Sequence, residues 1–266
     1  MLTASDIWVW RGGKAILDGV SLALAPGMVT AMIGPNGAGK STMLNVLSGL
    51  LSPDQGIVEL DGRAIADFTR RAIACRRAVM PQDLNLSFPF RVLDVVLMGR
   101  EPHTGRTKRR SDILIAEAAM RETNVLQFAN RDFTTLSGGE RQRVQLARVL
   151  VQVWPDDHET ESGTEPLFLL LDEPTNNLDI GHQQATMVTA RRFAEKGLGV
   201  LAVLHDPNLA AFYADDVCVL KNGRIVAHGP SSDVLSGSLL TDIFEARLTV
   251  LIHPHTGRPV VVPSLG

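Results

Sequence analysis

The sequence has few aromatic residues, little net charge and only two cysteines, and each shortage narrows the class of protein. Aromatic residues make up 5% of the chain and hydrophobic residues 45%. The core must therefore be mostly aliphatic, as in α/β proteins with a parallel sheet. The formal net charge of −3 argues against a nucleic-acid binder, because such proteins normally carry a basic face.

The cysteines and the apolar runs indicate the compartment. Cys75 and Cys218 lie far apart and match no metal or redox spacing, so reduced thiols in a cytosolic protein are expected. The N-terminal residues do not read as a signal peptide. No apolar run reaches the roughly 18 residues that a membrane helix needs. We therefore expect a soluble protein, or one attached to a membrane only through a partner.

One stretch fits the phosphate-binding pattern Gly-x4-Gly-Lys-Ser/Thr. An apolar run over Val29–Ile33 predicts a buried strand before it, and Met43–Leu47 has helical spacing after it. Strand, glycine loop and helix are the context in which this pattern binds phosphate. The candidate ATP-binding residues of this stretch are Gly34, Pro35, Asn36, Gly37, Ala38, Gly39, Lys40, Ser41 and Thr42.

The residue types in this loop match the chemistry of phosphate binding. Gly37 and Gly39 let backbone N–H groups curl around phosphate oxygens without a Cβ in the way. The positive end of the helix dipole points at the same anion. Lys40 can reach the β- and γ-phosphates, and the Ser41 hydroxyl suits Mg²⁺.

The rest of the chain alternates strands and helices, except for a helical stretch in the middle. Apolar runs and alternation predict strands at Ile7–Trp10, Val20–Leu24, Ile57–Leu60, Ala78–Met80, Leu167–Leu171, Val200–Leu204, Val217–Leu220, Arg224–Ala227, Val250–His253 and Pro259–Val262. Helical spacing predicts helices at 64–75, Val92–Met98, Ile113–Thr123, Arg141–Val153, Gln183–Glu195 and Leu209–Tyr213. A helical insert thus splits one nucleotide-binding α/β core.

Two adjacent carboxylates follow the aliphatic run that ends at Leu171. A carboxylate at the end of a buried strand beside a phosphate loop can hold Mg²⁺ through its water shell, and we assign this role to Asp172. The neighbouring Glu173 is the candidate catalytic base that orients or deprotonates the attacking water.

A second candidate anion site lies at Leu136-Ser137-Gly138-Gly139-Glu140. Small residues again lead into a helix whose N–H groups can bind an anion, but there is no lysine. At this motif the sequence resembles the ATPase subunits of ABC transporters, whose signature is Leu-Ser-Gly-Gly-Gln/Glu. The resemblance implies that Ser137, Gly138, Gly139 and Glu140 of one subunit bind the ATP held by the phosphate loop of the other.

The resemblance covers nearly the whole chain, with its motifs in the family's order, and it assigns further residues. Gln82 matches the glutamine that lies near Mg²⁺ where the helical insert begins. His205 matches the histidine that contacts the γ-phosphate and helps to position water, a second catalytic residue. Asp179 matches the loop along the dimer seam. The family often stacks adenine on an aromatic residue, and here that position is Arg11, with Trp10 as the alternative.

The fold that the resemblance implies is a P-loop NTPase (RecA-like) core of the α/β class. It has a mostly parallel sheet, an N-terminal antiparallel β part and an inserted α-helical subdomain. We expect one ABC ATPase domain over residues 1–266, with the core at 1–82 and 164–266 and the helical subdomain at 83–163. The implied ligands are ATP and Mg²⁺, the metal being held by Ser41, Gln82 and, through water, Asp172.

A narrower resemblance concerns the start of the helical insert, over Ser87–Val92 and Val96–His103. It is similar to ATPase subunits of iron-chelate, cobalamin and haem importers, and together with the loop after Val153-Trp154-Pro155 it looks most like those of haemin importers. An exposed apolar groove here would suit a short helix of a membrane partner. Phe88 and Phe90 can also be read as core residues, and the two readings are compatible. His253-Pro254-His255 is rejected as a haem site, because it lies at a C-terminal hairpin and the family's cargo crosses through the permease.

The expected function is therefore that of the ATP-hydrolysing subunit of a bacterial haemin importer. As a homodimer it would bind two permease subunits at the cytoplasmic face of the inner membrane as a peripheral protein. A periplasmic haem-binding protein would act with it indirectly, and no nucleic acid is involved. The alternatives are a ferric-siderophore or cobalamin importer, and a soluble ABC ATPase acting on ribosomes or DNA. The signature motif argues against a nucleotide kinase.

Overall fold

The computed structural model describes residues 1–82, 88–105, 109–154 and 165–264. The strands within these ranges are β1 (Leu2–Arg11), β2 (Lys14–Leu24), β3 (Val29–Ile33), β4 (Gln55–Leu60), β5 (Arg63–Ala64), β6 (Arg77–Met80), β7 (Phe168–Asp172), β8 (Gly199–Val203), β9 (Asp216–Lys221), β10 (Arg224–Gly229), β11 (Leu248–Ile252) and β12 (Pro259–Pro263). The α-helices are α1 (Lys40–Leu47), α2 (Arg70–Arg76), α3 (Val92–Leu97), α4 (Arg109–Glu122), α5 (Gly138–Gln152), α6 (Ile180–Glu195), α7 (Pro207–Tyr213), α8 (Ser231–Val234) and α9 (Gly237–Phe244).

The main sheet has six strands in the order β10-β9-β3-β8-β7-β6 and is parallel except for β10. Its central strands β3, β7 and β8 are buried along their whole length, which is why their sequences are continuous apolar runs. Because parallel strands end at the same edge, the segments that follow these three strands meet there. The phosphate loop, Asp172-Glu173 and His205 therefore lie at one edge of the sheet.

A second sheet is antiparallel, in the order β2-β1-β4-β5, and covers the side of the main sheet that carries α1. Alternate residues of β3 divide between two cores. Met32 packs with α1 and the antiparallel strands, whereas Ala31 and Ile33 pack with the helices of the opposite face. This arrangement confirms the predicted α/β class with a mostly parallel sheet and an N-terminal antiparallel part.

Helices α3, α4 and α5 lie between β6 and β7 in the chain and pack on one another. Phe133, which precedes α5, is 2% exposed and belongs to the same core. The predicted limits of the helical subdomain at 83 and 163, together with Ser87 and Pro155, lie outside the described residues. Among the helices that the structure does describe, none is both long and apolar enough to cross a bilayer.

The single helix predicted over 64–75 is wrong. The chain instead forms the short strand β5, a 3-10 turn over Ile65–Asp67 and then α2. The reason is a helix cap within the stretch. The Thr69 hydroxyl accepts a hydrogen bond from Ala72 N at 3.1 Å, so a new helix begins after Thr69, while Phe68 is extended.

Candidate nucleotide site

The phosphate loop joins β3 to α1, and its backbone lies directly against the antiparallel sheet. Gly39, the residue before α1, has a φ of 105°. A Cβ at this position would lie 2.8 Å from the carbonyl oxygen of Ile16 and 2.9 Å from Leu17 Cδ2. Only glycine fits both the left-handed backbone and the close contact with β2, so β2 and the loop fix the start of α1 together.

The side chain of Lys40 lies within the phosphate loop, and the residue is 5% exposed. Its Nζ donates to the carbonyl oxygens of Gly34 at 2.8 Å and Pro35 at 3.0 Å. Burial lowers the pKa of Lys40, and the nearby carboxylates of Glu173 and Asp172 oppose that shift. Two of the three N–H groups hold the loop in shape, and the third can reach a phosphate oxygen.

Ser41 and Asp172 face each other from α1 and the end of β7. Ser41 Oγ donates to Asp172 Oδ1 at 3.1 Å. Asp172 is 8% exposed, and burial is the main cause that raises the pKa of its carboxyl. A buried carboxylate next to a hydroxyl offers the hard oxygen ligands that Mg²⁺ prefers.

Gln82, two residues after the end of β6, extends to the carboxylate of Glu173, next to Asp172. Its Nε2 donates to Glu173 Oε2 at 2.8 Å, which leaves the amide oxygen as an acceptor. The described residues contain no group of three His, Cys, Asp or Glu side chains that could bind a metal by themselves. The donor set of one carboxylate, a hydroxyl and an amide oxygen fits Mg²⁺ that is also bound to substrate phosphates.

The carboxylate of Glu173 is contacted by several side chains of the site. Besides Gln82, Asn176 Nδ2 donates to Oε2, and His205 Nε2 lies 2.7 Å from Oε1. The backbone of Glu173 is left-handed, with a φ of 50°, a conformation that costs about 1 kcal/mol or more for a residue with a side chain. The surrounding contacts thus hold the carboxylate of Glu173 in a defined position, although the backbone of this residue is strained.

Two residues near Glu173 were not assigned from the sequence. Asn176 contacts its carboxylate, and Gln142 of α5 donates to its backbone oxygen at 3.4 Å. The sequence gives a weak indication for Asn176, because an asparagine three residues after a carboxylate in a turn can donate a hydrogen bond back to that carboxylate. Gln142 lies within the signature stretch, but only the fold reveals that α5 passes behind Glu173.

Ser137 caps α5 together with Glu140. Ser137 N donates to Glu140 Oε2 at 2.7 Å, and Glu140 N donates to Ser137 Oγ at 3.3 Å, which is a capping box. The first of these bonds is the main cause that lowers the pKa of Glu140. The Ser137 hydroxyl accepts in this box, so its own O–H can still donate to an anion.

Within one chain, hydrogen bonds and ion pairs connect the residues around the phosphate loop with one another. They do not connect these residues with the signature segment 137–140. They link Ser41 with Asp172, and Glu173 with Gln82 and His205. Across the part of the chain that the structure describes, no hydrogen bond joins the segment 137–140 to the loop 34–42. Ser137 and Gly138 are exposed, and Gly139 and Glu140 are half-buried.

Asp179, the predicted seam residue, caps α6. Its Oδ1 accepts from His182 N at 2.9 Å and lies 2.7 Å from His182 Nδ1, while its side chain is 69% exposed. The backbone hydrogen bond from His182 lowers the pKa of Asp179. The two candidate adenine contacts differ in their surroundings. The ring of Trp10 stacks on Trp8 at 5.4 Å, whereas Arg11 is exposed and donates to the Trp10 carbonyl at 2.8 Å.

The strand, phosphate loop and helix, with Asp172 and Glu173 at the neighbouring strand end, define a phosphate-loop NTPase. The ABC transporter family profile matches residues 17–176, which run from β2 past Glu173. The chain belongs to the ABC transporter family, as an ATPase whose substrate is ATP.

Relatives and solved structures resemble the chain over nearly its full length. The Hemin import ATP-binding protein HmuV of Gloeobacter violaceus is 47% identical over 99% of this chain and 94% of that protein. The protein of that name from Pseudomonas putida is 45% identical, with coverages of 98% and 99%.

Among solved structures, a chain of an inward-facing ABC transporter described as of metal-chelate type superposes with a TM-score of 0.80. It is 26% identical and the match covers 99% of this chain and 97% of that chain. A dimeric ATP-binding cassette with ADP and Pi superposes at 0.74, with 26% identity and coverages of 87% and 99%.

Proposed function

We propose that the chain is the ATP-hydrolysing subunit of a bacterial hemin importer. The observation that carries the proposal is the extent of the likeness to hemin import ATP-binding proteins. Eight such relatives are 42–48% identical over 95–99% of this chain. The likeness therefore includes the helical segment after Gln82 and the C-terminal hairpin, and not only the motifs that all ABC ATPases need. These relatives do not favour the alternatives, which were a ferric-siderophore or cobalamin importer and a soluble ABC ATPase.

Hydrolysis depends on residues at the edge of the main sheet that neutralise the charge of the phosphates and position the attacking water. The N–H groups of the phosphate loop and Lys40 hold the β- and γ-phosphates. Ser41, Gln82 and, through water, Asp172 would hold Mg²⁺, and the ion would neutralise charge on these phosphates. Glu173 orients the attacking water and takes its proton, and His205 holds Glu173 and contacts the γ-phosphate. Because no covalent intermediate is needed, the rate enhancement comes from positioning and charge neutralisation.

The signature belongs to the site of the second subunit. Ser137 and Gly138 are exposed at the N-terminus of α5, a 15-residue helix whose positive dipole end faces outward. In a two-fold homodimer the same surface serves both partners, so two ATP molecules lie between loop and signature. Asp179, exposed at the start of α6, lies along this seam.

Exposed apolar residues support docking of a permease on the face near α2 and α3. Phe88 is 70% exposed and Phe90 37%, so the reading of them as core residues is wrong. A separate groove of about 330 Å³ is lined by residues between the end of α1 and α2, among them Leu51, Phe68 and Ile73. A short apolar helix from each of two permease subunits fits this face.

This docking would make the protein peripheral at the cytoplasmic face of the inner membrane. The periplasmic haem-binding protein acts only through the permease. The deciding experiment is ATPase activity of the chain co-purified with a candidate hemin permease and reconstituted in liposomes. Hemin with its binding protein should stimulate turnover, and Lys40→Ala should abolish the response. Stimulation by a ferric siderophore or cobalamin, but not by hemin, would contradict the assignment of hemin.

A further inference from the structure

The C-terminal hairpin of β11 and β12 lies beyond the part of the chain that matches the ABC transporter profile, and it packs on α7. The side chain of Asn208, in the first turn of α7, forms two hydrogen bonds with the backbone of Val261 in β12. Val261 N donates to Asn208 Oδ1 at 2.8 Å, and Asn208 Nδ2 donates to Val261 O at 3.1 Å. The side-chain amide thus pairs with β12 as a neighbouring strand would.

The hairpin also holds the other end of α7. Arg258 Nη1 donates to the carbonyl oxygens of Ala211 at 2.9 Å and Phe212 at 2.6 Å. These carbonyls belong to the last turn of α7, where helix oxygens lack partners and a cation is favourable. The ring of His253, just after β11, packs edge-on against Phe212 at 5.7 Å.

Helix α7 follows the catalytic candidate His205 directly. Asp206 is its N-cap, and Asp206 Oδ1 accepts from Asn208 N at 2.8 Å. His205 is 41% exposed, and its Nε2 lies 2.7 Å from Glu173 Oε1. A helix of seven residues is not stable by itself, so its position depends on what it packs against. Besides β3 and α6, the strand β12 is a packing partner of this helix, whose N-cap Asp206 is the residue next to His205.

We infer that Asn208 and Arg258 are positioning residues, through which the C-terminal hairpin holds His205 against Glu173 for ATP hydrolysis. The inference rests on the catalytic roles proposed above for His205 and Glu173. The hairpin acts on the step after ATP binding, because its hydrogen bonds reach α7 and none in the described part of the chain reaches the loop 34–42.

The test uses Asn208→Ala in the full chain, with Thr249→Ala as the matched control. Thr249 is exposed on β11, and within the described part of the chain no hydrogen bond joins it to α7. Asn208→Ala should lower kcat about three- to tenfold, the effect of losing one or two net hydrogen bonds, and leave KM for ATP unchanged. Thr249→Ala should change neither value.

A second readout does not depend on turnover. The imidazole resonances of His205, assigned with His205→Gln, report its hydrogen bond to Glu173 by nitrogen NMR. They should shift in Asn208→Ala and not in Thr249→Ala. Unchanged His205 resonances together with an unchanged kcat would overturn the inference, because a purely structural anchor lowers stability without moving His205.

Arg258→Ala gives an independent test, and it carries the inference if Asn208→Ala does not fold. It should lower kcat and shift the His205 resonances, and Arg258→Lys should restore part of both effects. In a His205→Ala background, Asn208→Ala should have no further effect on kcat, and an additive loss would contradict transmission through His205. If Glu173→Gln and His205→Ala themselves leave turnover unchanged, the proposed catalytic roles fail instead.

Discussion

Glu173→Gln is the substitution for which the structure gives the clearest expectation. It removes the charge of the proposed base while keeping the shape and the hydrogen bonds of the site. The amide oxygen can stay where Oε2 accepts from Gln82 and Asn176, and the new NH₂ can donate to His205 Nε2 in its other tautomer. We therefore expect a change in stability within about 1 kcal/mol and undiminished ATP binding.

The loss should be confined to the chemical step. Removing a general base typically lowers kcat by about 10²–10⁴, which corresponds to about 3–5 kcal/mol in the activation free energy. The assay is steady-state ATPase activity beside the affinity for ATP by calorimetry. Glu117→Gln is the control, because Glu117 forms an ion pair with Arg121 on α4 and takes no part in the site. A kcat within tenfold of the wild-type value would refute the role of Glu173 as base.

Three further predictions test the loop and the proposed metal ligand. Lys40→Ala should lower kcat/KM for ATP by about 10² or more, and near-normal ATPase activity would contradict the assignment of the loop. Gly39→Ala should lower the free energy of unfolding in urea by about 1–3 kcal/mol, because its Cβ would lie 2.8 Å from Ile16 O; Gly37→Ala, where a Cβ meets open space, should cost less. Asp172→Asn should raise Tm at pH 7 while it abolishes Mg²⁺-dependent turnover. Because the pKa of Asp172 is raised in the folded protein, the protonated carboxyl contributes to the free energy of unfolding at low pH, and this contribution is lost as pH rises. The gain in Tm from Asp172→Asn should therefore vanish near pH 3. A lower Tm of the variant at pH 7 would contradict the reasoning.

Much of the core was predictable because its signals are local. The strand over Val29–Ile33 has the predicted bounds, since a continuous apolar run between turns is typical of a buried parallel strand. The following helix starts at Lys40, as predicted, because the left-handed Gly39 ends the loop there. The error over 64–75 has a local cause as well: the cap formed by Thr69 outweighs the helical spacing around it.

Other features of the site depend on contacts between distant parts of the chain. Gln82 and Glu173 are 91 positions apart, and their hydrogen bond forms only because β6 and β7 are neighbours in the sheet. The pairing of Asn208 with Val261 spans 53 positions and follows no periodic pattern. A side chain that bonds to a distant backbone leaves no signal in composition or spacing, so the structure was needed to find it.

The central claim is that each ATP site combines the loop of one subunit with the signature of the other, and mixing two inactive variants tests it directly. Lys40→Ala damages the loop, and Ser137→Arg blocks the signature. In a mixed dimer one site carries both defects and the other carries none. With random exchange of equal amounts, about a quarter of the sites should be intact, so ATPase activity should return to about a quarter of the wild-type value. If the mixture is as inactive as either variant alone, although the mixed dimer forms, loop and signature act within a single chain and the account is wrong.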